Sequence, residues 1–262
     1  MMRSLWSAAS GMIAQQKNMD VVAHNLANVN TYGNKKVRAE FQDLLYQTLR
    51  DAGGISGDGT EYPQGLQIGL GTRVAATHRV FTQGPLQTTD NPTDIGIQGE
   101  GFFQIQMPDG RTAYTRDGSF KLDSQRRLVT SDGFLLQPGI TINQEAALES
   151  IVISSDGHVS NTVDGVQAEV GQITMARFIN PEGLYSYGKN LFFETGASGA
   201  PIVGEPGNGA MGILTQGTLE MSGVQIVEEM VNMIVAQRAY ESNSKAVTTS
   251  DSMLEIANQL KR

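Results

Sequence analysis

The C-terminal segment, residues 224–262, reads VQIVEEMVNMIVAQRAYESNSKAVTTSDSMLEIANQLKR and contains neither glycine nor proline. Large apolar residues recur in it at intervals of seven, at Ile226, Met233, Tyr240, Val247 and Leu254. A second row follows the same interval, at Ala239, Ala246, Met253 and Leu260. Two adjacent rows form one stripe along a helix, and a stripe of this length is typical of a helix–helix seam. At about 1.5 Å per residue the helix would span roughly 58 Å, so we expect it to need a partner.

The N-terminal segment, residues 1–29, carries a matching pattern. Apolar residues recur at intervals of seven, at Leu5, Met12, Met19 and Leu26. A companion row contains Ala8, Val22 and Val29, with Gln15 as its one polar member. A single stripe could equally belong to an ordinary amphipathic helix on a core, but one stripe at each terminus favours pairing of the two ends. We predict an antiparallel pair. Its polar seam residues (Gln15, Gln237, Ser244, Asp251) are better explained if many copies bundle together.

Between the two ends the composition changes sharply. All eight prolines and 28 of the 30 glycines fall between residues 51 and 223. From residue 73 to 222, short alternating runs such as Phe103, Ile105, Met107 are punctuated by Asp-Gly pairs at 109–110, 117–118, 132–133, 156–157 and 164–165. Asp-Gly supplies the positive φ angles of tight hairpins, so this region is predicted to form antiparallel strands. Residues 51–72 are rich in glycine and predict a long loop that is either functional or mobile.

The predicted fold class is therefore α+β with a mainly β body. A discontinuous β-rich domain is inserted between long N- and C-terminal helices that pair as an antiparallel coiled coil. We divide the chain into an N-terminal helix (1–32), an extended linker (33–72), a β-rich outer domain (73–222) and a C-terminal helix (223–262). Residues 37–50 have helical spacing of their apolar residues but could equally be extended.

Charge and composition exclude several classes of function. The net charge is −8, with six Lys/Arg against three Asp/Glu in residues 1–50 and 13 against 24 in the remainder. An acidic body without a basic stripe disfavours nucleic-acid binding. The asymmetry could favour head-to-tail contact between copies or be a solvated surface without function. No apolar run of 18 residues occurs, which predicts no membrane insertion, and the N-terminus does not resemble a cleaved signal peptide.

Motifs for catalysis or cofactor binding are missing, so we expect no enzyme, no cofactor and no metal site. The segment from Gly183 to Lys189 has phosphate-loop spacing, but Asn190 stands where Ser or Thr is required and the following residues are strand-like. His24, His78 and His158 are far apart, without an HExxH motif, and the chain has no cysteine. No GxSxG motif occurs.

Read together, the two ends resemble the bacterial flagellar rod/hook family. The N-terminal motif is carried by Ser10, Gly11, Met12, Gln15, Gln16, Met19, Asn25, Asn28, Thr31 and Gly33. The C-terminal motif is carried by Gln237, Arg238, Tyr240, Glu241, Asn243 and Lys245. Further matching motifs run from Gly99 to Phe103, from Tyr114 to Phe120 and from Gln216 to Glu220. The family's pattern usually has an aromatic residue at Asn34, Asn at Gly223 and a turn glycine at Arg126-Arg127.

Within that family, the length and the segment 46–73 are most similar to the distal rod type. The resemblance implies a subunit that polymerises helically into a straight, rigid, hollow shaft, which transmits torque from motor to hook and encloses the export channel. It implies a bridging role between neighbouring subunits for Gly65, Leu66, Gln67, Ile68 and Gly69. The residues expected to pair the helices and assemble copies are Leu5, Met12, Met19, Val22, Leu26, Ile226, Met233, Tyr240, Val247 and Leu254.

The implied partners are other copies of the chain, proximal rod and hook-family proteins, surrounding ring proteins and the flagellar export apparatus. The implied location is the basal body, in the rod that spans the periplasm, reached by export without a cleaved signal peptide. Two alternatives stay open from the sequence: a proximal-rod or hook homologue, and a secreted β-domain binding protein with helical ends.

Overall fold

The computed structural model describes residues 2–53, 63–143, 150–163 and 166–259. Two long helices lie at the ends of the chain, α1 (Met2–Ala27) and α2 (Ile226–Gln259). The strands between them, in chain order, are β1 (Val37–Asp43), β2 (Tyr46–Arg50), β3 (Leu66–Gly69), β4 (Thr72–Arg79), β5 (Leu86–Thr88), β6 (Ile95–Gln98), β7 (Phe102–Gln106), β8 (Thr112–Thr115), β9 (Lys121–Leu122) and β10 (Leu128–Val129). They continue as β11 (Leu135–Leu136), β12 (Ile151–Ile153), β13 (His158–Val163), β14 (Val166–Gln172), β15 (Met175–Arg177), β16 (Tyr185–Gly188), β17 (Leu191–Phe193), β18 (Ile202–Gly204), β19 (Ile213–Gln216) and β20 (Thr218–Glu220).

The chain forms two compact units. The first contains residues 1–26, 37–78 and 225–262, and the second contains residues 27–36 and 79–224. The predicted fold class is confirmed, because two long terminal helices are in contact and flank a β-rich region in the sequence. Neither helix, over its described residues, has an apolar stretch that could cross a lipid bilayer.

The first unit adds a β-ribbon to the helices. Strand β1 pairs with β4, and β2 pairs with β3 in an antiparallel register that sets Tyr46 opposite Gly69 and Gln47 opposite Ile68. Residues 37–50, which the pattern left open between helix and strand, are therefore mostly extended. Part of the segment predicted as a glycine-rich loop is strand β3; residues 54–62 of that segment lie outside the described residues.

The second unit is built around a nine-stranded antiparallel sheet. Its order is β16-β17-β8-β7-β11-β10-β9, and β15 pairs with both β7 and β18. One apolar core fills it, with Phe103, Ile105, Phe120 and Leu136 fully buried. A second cluster is aromatic: the ring of Phe102 meets Phe81, Phe178 and Phe192 edge-to-face.

The predicted Asp-Gly turns have mixed outcomes. Gly110, Gly133 and Gly157 take positive φ angles, as hairpin turns require. The pair at 117–118 is different, because Gly118 does not have a positive φ and its carbonyl accepts a hydrogen bond from Ile95 N at 3.1 Å. A β-carbon on Gly118 would lie 1.7 Å from the Ile95 carbonyl oxygen. Glycine is needed there for close backbone approach. The pair at 164–165 lies outside the described residues.

We predict that Gly118→Ala destabilises the β-rich unit by about 3 kcal/mol, since the backbone of buried Ile95 must shift to admit one methyl group. Urea unfolding of the full chain, followed by circular dichroism, measures the loss. The matched control is Gly196→Ala, at an exposed site where a β-carbon meets nothing within 4 Å; its effect should stay within about 0.5 kcal/mol. Equal midpoints for the two variants would contradict the prediction.

Candidate assembly surface

Helices α1 and α2 run antiparallel in a fixed register. Ser4 Oγ lies 3.2 Å from Ser250 Oγ, and Asn25 Nδ2 donates to Glu229 Oε2 at 3.2 Å. Between these contacts, Gly11 faces Asn243 so closely that a β-carbon on Gly11 would lie 2.8 Å from Asn243 Nδ2. Each step along α1 is matched by an equal step back along α2, so the contacts belong to one continuous seam.

The seam combines a predicted row with one that apolar periodicity did not indicate. Of the predicted pairing residues, Val22 is buried; Leu5, Met12, Met19, Leu26, Met233, Val247 and Leu254 are half-buried; Ile226 and Tyr240 are exposed in the single chain. The second row of α2 at the seam is Glu229, Ala236, Asn243 and Ser250. The row expected from the sequence differs, because Ala246 and Met253 are exposed and Leu260 lies outside the described residues.

Asn25, a residue of the family motif, joins three elements of the first unit. Its amide nitrogen donates to the Val37 carbonyl at 2.8 Å, and its amide oxygen accepts from Val37 N at 2.9 Å. The same nitrogen also donates to Glu229. Asn25 and Glu229 are both 1 % exposed. One buried side-chain amide thus pairs with the start of β1 as a strand would, and holds α2 as well.

Two further motif residues of α1 permit close packing. Ser10 Oγ accepts from Thr72 N at 3.3 Å and donates to the Ser7 carbonyl, which ties the helix to the start of β4. Gly11 allows α2 to approach. On α2, Arg238 pairs with Glu241 at 3.2 Å on an exposed surface, and Gln237 is also exposed.

The remaining motif residues lie in the loop 27–36, which belongs to the second unit. Thr31 Oγ1 donates to Asn28 Oδ1 at 3.3 Å, and Gly33 N donates to the Glu220 carbonyl at 2.8 Å. Gly33 has φ +66°, and a β-carbon would meet Asp117 N at 2.7 Å. The glycine therefore satisfies both a left-handed backbone and a close approach.

The same loop delivers a buried charge cluster. Lys35 Nζ lies 2.5 Å from Glu220 Oε1, which also accepts from Gly84 N at 2.8 Å, and Arg116 Nε is 3.7 Å from Glu220 Oε2. All three charged side chains are at most 4 % exposed. Burial lowers the pKa of Lys35, and the charge of Arg116 lowers it further, whereas Glu220 acts in the opposite direction. The hydrogen bond to the Thr82 carbonyl at 2.8 Å completes the Lys35 site.

Large apolar side chains stay exposed on the first unit. On α1 these are Trp6 (73 % exposed) and Ile13 (61 %). On α2 they are Val227, Met230, Val231, Ile234 and Val235, each more than half exposed. The ribbon exposes Leu45, Tyr46, Leu49, Leu66 and Ile68. Of the predicted bridging residues, Leu66, Gln67, Ile68 and Gly69 form β3, and Gly65 directly precedes it. Contiguous exposed apolar surface of this kind marks a protein–protein contact.

These features define a class of protein. Paired terminal helices, a motif at each end and a β-rich body between them match three family models: "Flagella basal body rod protein" over residues 5–35, "Flagellar hook protein FlgE/F/G D1 domain" over residues 96–161, and "Flagellar basal body rod FlgEFG protein C-terminal" over residues 215–260. The matches follow the chain from one helix through the β-rich unit to the other helix.

Full-length relatives narrow the class. The chain is 58 % identical to the flagellar basal-body rod protein FlgG of Borreliella burgdorferi, over the whole of both chains. It is 50 % identical to FlgG of Buchnera aphidicola subsp. Acyrthosiphon pisum and 48 % identical to FlgG of Caulobacter vibrioides, each over 99 % of this chain and 100 % of the relative. The chain belongs to the FlgG family of flagellar basal-body rod proteins.

We predict that Lys35→Met destabilises the β-rich unit by about 3 kcal/mol, because it leaves the buried Glu220 carboxylate with less compensation. Lys121→Met makes the same chemical change at an exposed position of the same unit and should cost less than about 0.5 kcal/mol. Urea unfolding compares the two. The double variant Lys35→Met/Glu220→Gln should lose less than the sum of its single variants, since both charges are gone. Additive losses would contradict coupling between the two groups.

Proposed function

We propose that this chain is the structural subunit of the distal part of the flagellar rod. Copies stack helically into a straight, rigid, hollow shaft that transmits torque from motor to hook and encloses the export channel. The observation that carries the proposal is the full-length similarity to FlgG rod proteins, combined with a helix pair whose outer faces are apolar and exposed. Such a subunit performs a mechanical rather than a chemical role.

The helix pair supports polymerisation on physical grounds. Burying a Val, Ile or Met side chain stabilises by about 1.5–3 kcal/mol relative to leaving it in water. Five such side chains of α2 are more than half exposed in one copy. Packing against further copies removes them from water, so the polymer supplies burial that the single chain lacks.

The position in the rod suggests the partners. Subunits at the two ends of the shaft would contact proximal rod proteins and hook-family proteins, and ring proteins and the export apparatus would meet its outside and its base. Residues 33–72 would bridge neighbouring subunits through the exposed side chains of the ribbon, among them Leu66 and Ile68. The similarity along the whole chain to FlgG proteins favours the distal rod over a proximal-rod or hook homologue.

The proposal predicts that concentrated full-length protein forms straight tubes, visible by negative-stain electron microscopy. Straightness follows from rigid lateral contacts and distinguishes a rod from a hook. Curved or supercoiled tubes would move the assignment to a hook-like protein. Absence of polymer at every concentration, also when fragments of isolated rods are added as seeds, would contradict the proposal.

A second prediction concerns the apolar face of α2. Ile234→Asp should abolish tube formation, because it places a charge where the polymer would bury an apolar side chain. The circular dichroism of the monomer should not change, since Ile234 is exposed in the single chain. The control is Asn232→Asp, which adds the same charge at an exposed polar position nearby and should preserve tubes. Tubes of wild-type appearance from Ile234→Asp would exclude this face from the contact.

A further inference from the structure

Two apolar patches point away from the seam, one on each helix. Trp6 and Ile13 each follow a seam residue, Ser4 and Gly11, by two positions. Two positions turn a helix by about 200°. The side chains of Trp6 and Ile13 therefore project from the side of α1 opposite to α2, in agreement with their exposure of 73 % and 61 %.

The same relation holds on α2. Val227 and Ile234 precede the buried residues Glu229 and Ala236 by two positions, so they project from the side of α2 opposite to α1. Met230 and Val231 complete this stripe at the i+3 and i+4 positions. Each helix thus presents one apolar outer face.

The two patches lie at different heights along the helix pair. In the observed register Ile13 is level with Glu241, whereas Ile234 is level with Asp20. Because the patches are on opposite sides and at different heights, they cannot meet within one chain. Their spacing nevertheless matches: seven residues separate Trp6 from Ile13, and seven separate Val227 from Ile234.

Charge supports the same pairing. Residues 1–18 contain two basic residues, Arg3 and Lys17, and no acidic one. Residues 226–235 contain Glu228 and Glu229 and no basic residue. Opposite net charge steers the two surfaces together and disfavours contact of either with its own kind.

We propose that the Trp6/Ile13 face of α1 in one copy docks on the Val227/Ile234 stripe of α2 in a second copy. The helices are antiparallel there, with Trp6 opposite Ile234 and Ile13 opposite Val227. Relative to the seam within one chain, this register is shifted by two heptads, or roughly 21 Å along the helix axis. The proposal rests on the proposed function, since it names the contact by which the rod subunit polymerises.

The arrangement explains open growth. The contact joins two different patches, so each added copy leaves one patch of either kind uncovered at the ends of the assembly. A heterologous contact of this type produces a ring if its rotation closes and a helical filament if it does not. The shift along the axis prevents closure into a flat ring.

Disulfide trapping tests the register, because the chain has no native cysteine. Two full-length variants, W6C and I234C, are mixed, polymerised and oxidised, so that any mixed disulfide joins two copies. We expect a mixed dimer from this pair and from I13C with V227C. The out-of-register pair, I13C with I234C, is displaced by one heptad, about 10 Å, which exceeds the roughly 7 Å between Cα atoms that a disulfide can bridge; its mixed dimer should be lost.

Two controls separate the outcomes. The double variant S4C/S250C, whose serine oxygens lie 3.2 Å apart, should form a disulfide within one chain and so reports an intact helix pair. The mixture of L45C with I234C tests whether the ribbon of a neighbour covers α2 instead. Tubes that form without either in-register disulfide, or a dominant L45C–I234C product, would overturn this contact and leave the rod assignment intact. A chain that forms its S4C/S250C disulfide but never polymerises, with or without seeds, would contradict both.

Discussion

The contact between α1 and α2 is made largely by small and polar side chains, and this composition limits how much free energy one chain gains from it. Three of its levels are Ser4 with Ser250, Gly11 with Asn243, and Asn25 with Glu229. Among the described residues of α2, only Glu229 and Ala236 are buried. Helix nucleation is costly, and a helix in water depends on tertiary packing of one face. A helix of 34 residues with so little buried surface must obtain further burial from outside its own chain.

The β-rich unit depends on itself in a way that the helix pair does not. Its core places Phe103, Ile105 and Phe120 out of contact with water, and antiparallel pairing satisfies the backbone of the nine-stranded sheet. The loop 27–36 is held in this unit by Gly33 and by the ion pair of Lys35 with Glu220. Removing water from those charges is costly, and their mutual attraction and hydrogen bonds offset the cost only in the native geometry. The cluster therefore constrains one loop conformation more than it adds stability.

The sequence predicted the helices, their antiparallel pairing and the strand-rich middle, because each rests on a local period or on turn chemistry. It could not indicate the second seam row, since Glu229, Asn243 and Ser250 are polar and do not register in an apolar pattern. It also misassigned Gly118, where the close approach of Ile95 depends on a residue distant in the chain. Arg126 shows the converse: a turn glycine is usual there in the family, and the arginine still takes a left-handed φ of 57°. Its neighbours Gln125 and Arg127 donate to Asp123, which holds the turn in place of glycine's freedom.

The polar seam and the apolar outer faces have complementary consequences for assembly. If α1 slid by one heptad along α2, Asn25 and Glu229 would lose the hydrogen bond between them in a buried site, at a cost of about 1–3 kcal/mol for each unsatisfied group. A purely apolar seam would lack this penalty and would tolerate several registers. The register within a copy fixes the heights of Trp6 and Ile13 on one side and of Val227 and Ile234 on the other. Polar residues inside the pair therefore determine where the apolar contact between copies can form, and a shaft in which every subunit occupies an equivalent position requires that determination.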